Sequence, residues 1–258
     1  MNARQTAAIV AAMMLLAAPA LADWDPGDPY KMHYPQLPDP NGWDVSFTPG
    51  PLGDDWQCNE TGPVADIHLW VSFRGDQVPG PEGVVGGFVE IWSDVPPGTG
   101  GANFSHPGER LWGMGFDTNM PNVKMRPYQD GDQRWLEPGT TPNDVVDHHN
   151  TYQINIDPIE DFFIQKTDTI YWLVAHLFAQ DPTGPTNIEI GWKTSMSPQY
   201  RDDAVYSNPL GLPQWLPLED PFTSASLDLA FVITVPEPTT ILLLLLGVAG
   251  LFTARIIR

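Results

Sequence analysis

An all-β fold, a two-sheet antiparallel sandwich of jelly-roll-like type, is what this sequence predicts. Three observations carry it. Apolar residues recur at every second position in one segment after another, the spacing that turns one face of a strand into a core. The 28 prolines and 23 glycines are spread along the chain, as rigid turns between short strands require. No segment of comparable length keeps a 3.6-residue period, and only residues 158–165 read as a helical turn or two.

Residues 23–55 form a proline-rich, aromatic lead-in carrying Trp24, Tyr30, Tyr34 and Trp43, with one short strand at 44–48. In 67–73, Ile67, Leu69, Val71 and Phe73 make one apolar face. Residues 84–92 are richer in apolar side chains and suit a central strand. Weaker signals follow at 111–116 and 123–126. In 151–157, Tyr152, Ile154 and Ile156 point one way, Gln153, Asn155 and Asp157 the other. Residues 169–178 are apolar on both faces, as a strand covered on both sides would be. In 188–193, Ile188, Ile190 and Trp192 face in, Glu189 and Lys193 out. Leu227, Leu229, Phe231 and Ile233 give 226–234 its core face. About eight to ten strands fit a sandwich. The absence of an internal repeat disfavours a propeller or β-helix.

Both ends read as targeting segments outside this domain. Arg4 precedes an apolar stretch at 7–18, and Pro19 then leads into Ala20-Leu21-Ala22. That order describes a signal peptide, residues 1–22, cut after Ala22 by signal peptidase, with small residues at Ala20 and Ala22. At the other end, Pro236-Glu237-Pro238 is a stiff extended tripeptide. A leucine-rich run at 241–252 follows, then Arg255 and Arg258. Twelve helical residues span about 18 Å against roughly 30 Å of hydrocarbon. Residues 239–254 therefore suit a transient anchor, with the arginines on the cytoplasmic side.

The sequence Pro236-Glu237-Pro238, then Leu242-Leu243-Leu244-Leu245-Leu246-Gly247, then basic residues, resembles the PEP-CTERM sorting signal. The resemblance implies an exosortase-type sorting enzyme as partner, in a Gram-negative bacterium, and release or attachment at the outer surface. It covers residues 236–258. A second resemblance covers most of residues 23–235. Asp54-Asp55-Trp56-Gln57-Cys58-Asn59, Gly191-Trp192-Lys193-Thr194-Ser195, Asp202-Asp203-Ala204-Val205 and Ser226-Leu227-Asp228-Leu229 look like a domain-of-unknown-function family of exported bacterial proteins. That family carries no activity across, but it implies that Cys58 and its neighbours belong to a framework.

Removing Glu237 from the 32 acidic residues, and Arg4, Arg255 and Arg258 from the 12 basic ones, leaves 31 and 9, a net charge near −22 for residues 23–235. That charge argues against nucleic acid and anionic membrane surfaces as partners. Cys58 is the only cysteine, so no disulfide forms within the chain, and it reads as a small buried apolar residue.

Candidate sites are sparse. Asp147-His148-His149, with Asp144 near, offers metal-ligand types, but neighbouring histidines on a strand point to opposite faces and no metal motif is matched. No metal site is assigned, and a polar loop is the reading. Asp54-Asp55, 129–132 and Asp202-Asp203 read as acidic turns. They are solvated, or two of them assemble a Ca²⁺ site from separate loops; no other cofactor is implied. His68, Trp70 and Trp92 lie opposite their strands' apolar rows. They form a sugar-stacking platform, or the two tryptophans pack beneath a long loop or the N-terminal lead-in. No GxSxG, P-loop or dinucleotide fingerprint is present. The expectation is a non-enzymatic cell-surface or extracellular-matrix protein, structural or adhesive within exopolysaccharide. The alternatives are a carbohydrate-binding module and a hydrolase of extracellular polymers.

Overall fold

The computed structural model describes residues 23–234 apart from 143, 158, 160, 186, 209 and 211–213. The expected signal peptide, residues 1–22, and the sorting segment, residues 236–258, lie outside the described residues. Among the described residues no helix is long and apolar enough to cross a membrane.

Strands dominate. β1 spans Trp43–Ser46, β2 Leu52–Gln57, β3 Gly62–Pro63, β4 Asp66–Phe73 and β5 Val84–Val95. β6 (His106–Asp117), β7 (Val123–Leu136), β8 (His148–Ile156), β9 (Ile164–Gln165) and β10 (Ile170–Gln180) follow. β11 (Ile190–Lys193), β12 (Val205–Ser207), β13 (Trp215–Pro217) and β14 (Phe231–Thr234) complete the strands of the described residues. A 3-10 turn, Arg74–Asp76, follows β4.

Two six-stranded sheets share one core. The first runs β11-β1-β7-β8-β4-β14, the second β13-β12-β2-β10-β5-β6. Val45, Ile67, Leu69, Val71, Phe73, Ile154 and Trp192 from the first meet Leu52, Trp56, Val89, Ile91 and Leu173 from the second. Each large apolar side chain buried this way contributes about 1.5–3 kcal/mol.

The first sheet departs from the expected antiparallel arrangement twice. β1 runs parallel to β7, pairing Asp44 with Trp135. The sheet also closes on itself. One edge of β4 is divided, Asp66 to Leu69 pairing with β14 and Val71 to Phe73 with β11. Because β11 also pairs with β1, strands β1, β7, β8, β4 and β11 form a ring. Closure removes the free edges that an open sheet would leave.

Other expectations fail for physical reasons. The helical turn expected at 158–165 gives way to β9, which pairs with β3 through Gly62 and Gln165. Asp54 and Asp55, read as a turn, sit inside β2, because Leu52 and Trp56 anchor that strand in the core. The acidic stretch 129–132 is a bulge in β7, between Asp130 and Gln133. Gly131 is required there: a Cβ would lie 1.8 Å from the Pro40 carbonyl oxygen. Lys193, Gln153 and Asn155, read as outward-facing, are buried, since their side of the sheet is enclosed.

The lead-in keeps its extended character and stitches the sheets together. Lys31 N donates to Ile233 O, Asp39 N to Thr194 O, and Met196 N to Leu37 O. Met32 pairs with Cys58 at the end of β2. Trp24 is buried edge-on against Trp70, ring centres 6.0 Å apart. Its carbonyl accepts from Gln153 Nε2 at 2.8 Å and Arg126 Nη2 at 3.0 Å. Trp24→Ala should therefore lower unfolding stability by about 3–5 kcal/mol in urea denaturation. A loss below ~1 kcal/mol would mean that the lead-in is not part of the core.

Candidate functional site

The ring has a polar inside. Asp44 on β1 and His148 on β8 are separated by β7, yet Asp44 Oδ2 lies 2.8 Å from His148 Nε2. Ser72 on β4 and Gln133 on β7 are separated by β8, yet Ser72 Oγ donates to Gln133 Oε1 at 2.7 Å. Contacts that skip a strand place these side chains within the ring. Trp135 lies across the same space, its indole 2.9 Å from where a Cβ on Gly191 would be, so residue 191 has no room for a side chain.

A charge cluster sits at its centre. Lys193 Nζ donates to Asp44 Oδ2 at 2.8 Å and to the Gly42 carbonyl at 3.1 Å. His148 Nδ1 is 2.6 Å from Asp147 Oδ1. Asp44, His148 and Lys193 have no solvent exposure. Asp147 continues outward to Arg74, which also meets Glu137 and Glu189. Burial alone would lower the His148 pKa, but hydrogen bonds and charges from Asp44 and Asp147 outweigh it and raise the value. Burial alone would raise Asp44, but Lys193 and His148 hold it below the ordinary carboxylate value. The His148 ring thus bridges Asp44 and Asp147 through both nitrogens and ties β8 to β1, while the second Asp44 oxygen, Oδ1, is buried and accepts no hydrogen bond from a protein group.

A second polar cluster lies where β2 loses its neighbour. β12 covers β2 only at Leu52 and Gly53. Beyond them, Asp54 Oδ2 accepts from Leu229 N at 2.6 Å and Gln36 Nε2 at 2.9 Å. Asp55 points to the opposite face and is fully buried. Asp228, also buried, accepts from Tyr200 N. Burial, then the Asp228 charge, holds Asp54 and Asp55 well above their ordinary values. Burial likewise pushes Asp228 up to about 7.

The three residues proposed from sequence as a sugar platform are not brought together. His68 is buried, its Nδ1–H donating to Asn155 Oδ1 at 2.6 Å, and burial lowers its pKa to about 4. Trp70 is buried between Trp24 and Tyr128. Both therefore pack under the lead-in and offer no face to a ligand. Trp92 lies elsewhere, half-buried on the outer face of the second sheet. Its Nε1 donates to Glu90 Oε2 at 2.9 Å, and Glu90 Oε1 is paired with Arg110 at 2.9 Å. Trp215 stands edge-on to it at 6.2 Å, within a cluster holding Trp172, Val174 and Val205.

His148 and His149 diverge as adjacent strand residues must, the first into the ring and the second outward at 57% exposure. Asp144 pairs with Arg134 instead. Among the described residues no group of three His, Cys, Asp or Glu side chains stands ready around a metal ion. Cys58 is buried, and burial pushes its thiol up to about 12, which favours the neutral thiol over the thiolate.

An all-β domain running into a sorting tail defines a class of exported, surface-sorted proteins. The PEP-CTERM protein-sorting motif matches residues 234–258. A family model described as Domain of unknown function (DUF7901) matches residues 32–234, and the chain belongs to that family. No curated protein and no solved structure matches it.

Removing one member of a buried charge cluster strands the others, so His148→Gln should cost about 3–5 kcal/mol. The pH dependence has a definite sign. His148, raised above 6.5, stabilises fully below that value and loses its contribution as pH rises through its folded pKa. Asp44, lowered, contributes above 3.8 and fails only in stronger acid. Asp54, Asp55 and Asp228, raised, cost stability as they ionise with rising pH. The urea midpoint should fall from pH 6 to pH 8, and less steeply in His148→Gln. An identical slope in the variant would refute a charged His148.

Proposed function

We propose that this protein is a displayed structural or adhesive module of the cell surface or extracellular matrix, associated with exopolysaccharide and without catalytic activity. The join at Thr234 supports this best. The last residue of β14 is also where the sorting motif begins, so the folded domain passes directly into the segment that an exosortase-type enzyme processes. We read the two sheets as a sandwich of jelly-roll-like type, behind a signal peptide removed after Ala22. Residues 239–254 then act as a transient anchor in a Gram-negative inner membrane. Mass spectrometry of surface-released protein should find a species that begins at Asp23 and ends near Pro236. A surface species still carrying 242–258 would convert the tail into a permanent anchor and remove the basis for release into a matrix.

A second reading, a carbohydrate-binding module, rests on Trp92 alone. Its indole is fixed by Glu90, itself held by Arg110, whose side chain is 58% exposed. A fixed aromatic face beside a carboxylate and a guanidinium suits stacking on a sugar ring with hydrogen bonds to its hydroxyls. On a glycan array, Trp92→Ala should lose most of any binding seen with the parent protein. Binding unaffected by that change would exclude this face. Release of reducing sugar from exopolysaccharide by the parent protein would instead favour a hydrolase.

A further inference from the structure

Asp44 and Lys193 face each other as a register pair between β1 and β11. Their side chains meet inside the ring, Lys193 Nζ donating to Asp44 Oδ2 at 2.8 Å, and neither has solvent exposure. A second bond from Nζ, to the Gly42 carbonyl at 3.1 Å, fixes the amine in place. The carboxyl carbon lies one C–O bond, ~1.2 Å, beyond Oδ2, so Nζ is held within about 4 Å of it.

The two Asp44 oxygens stand in unequal surroundings. Oδ2 takes a second donor, His148 Nε2 at 2.8 Å, while Oδ1 is buried and accepts no hydrogen bond from any described residue. His148 is held in turn by Asp147 at 2.6 Å. Trp135 stands edge-on to it, ring centres 5.9 Å apart, and supplies an apolar wall. One oxygen thus has two proton donors beside it, and a nitrogen nucleophile lies against the same carboxyl group. That is the arrangement in which an amine and an acid condense to an amide.

We propose that Lys193 and Asp44 join through an amide bond between Nζ and Cγ, with His148 as the catalytic residue, so that the ring is sealed covalently along the β1–β11 seam. The ion pair is the reactant. In its minor neutral form, Nζ has passed one proton to Oδ2 and carries a free lone pair. Nζ attacks Cγ to give a tetrahedral carbon with its negative charge on Oδ1. His148 Nε2 gives a second proton to Oδ2, the Cγ–Oδ2 bond breaks, and Oδ2 leaves as water. His148 recovers a proton from the new amide nitrogen, and Oδ1 becomes the amide carbonyl. One ammonium and one carboxylate thus give one amide and one water, with nothing oxidised, reduced or consumed. Burial favours the step, because two charges without water are costly and a neutral amide is not. Contact favours it as well, since well-oriented intramolecular groups reach effective molarities on the order of 10⁵–10⁸ M. The event occurs once per chain, which suits a protein that turns over no substrate. It closes a loop between positions 149 apart, in a chain whose one cysteine excludes an internal disulfide.

Peptide mass spectrometry of the full chain, folded, then denatured and digested, tests the bond however the chain ends are processed. A branched peptide joining the segments that hold Asp44 and Lys193 should appear, lighter than the two peptides together by one water. Lys193→Arg keeps the charge without the amine and should yield the two peptides unlinked. His148→Gln, freshly purified and folded by circular dichroism, should leave at least half of the chains unlinked. The parent protein alone decides the bond, whether or not a variant folds. Two separate peptides from the folded parent, or the same branched mass in Lys193→Arg, would overturn the link. Complete linkage in His148→Gln would overturn the catalytic role of the histidine.

Discussion

The Asp44–His148–Lys193 cluster is the constraint on which the rest of this fold depends. A ring of five strands has little interior, and here that interior holds Asp44, His148 and Lys193 where apolar side chains would be expected. Removing such charges from water is costly, and only close pairing with complementary charge offsets it. The pairing is satisfied only when β1, β8 and β11 keep their present register. Sliding any of them by one residue would reverse which side chains enter the ring. The charges thus act as a register key: they select one arrangement, while the apolar core shared with the second sheet supplies the stability.

The remaining architecture follows from closure. With the ring closed, β4 has to serve three partners, and it does so by dividing one edge between β14 and β11. The second sheet stays open, and its outer face carries the Trp172 and Trp215 cluster together with the half-buried Trp92. The β2 edge is where the two regimes meet. There, strand pairing gives out and side chains from distant segments take over the bonding of Asp54.

Period-two alternation made 67–73 and 151–157 legible, because each has one uninterrupted apolar row, and the density of apolar residues on both faces did the same for 84–92 and 169–178. β2 was hidden because its apolar members, Leu52 and Trp56, enclose two aspartates that resemble a turn. β3, β9, β12 and β13 are two or three residues long, too short to carry a period. Ring closure was invisible for a deeper reason. Gln153, Asn155 and Lys193 have the polarity of solvent-facing residues, and only partners far away in the chain make them interior. The same blindness left His68 and Trp70 with two readings: sequence marks the second face of β4 but cannot say whether solvent or the lead-in covers it. His148 was noticed as a ligand type, while Asp44 and Lys193 carried no local signal that tied them to it.

The position of β14 has a mechanical consequence. Four residues connect the domain to everything C-terminal of Thr234. They are held along one side by β4, and along the other by the lead-in through Lys31 and Gln36. The Thr234 hydroxyl adds a bond to Asp66 Oδ2 at 2.8 Å. A pull on the tail therefore runs along the axis of a strand bonded on both edges, so several hydrogen bonds are loaded in shear together and none can be peeled away singly. The tether point is thus one of the better-braced places in the molecule, and tension arriving there is distributed into both the ring and the N-terminal strap.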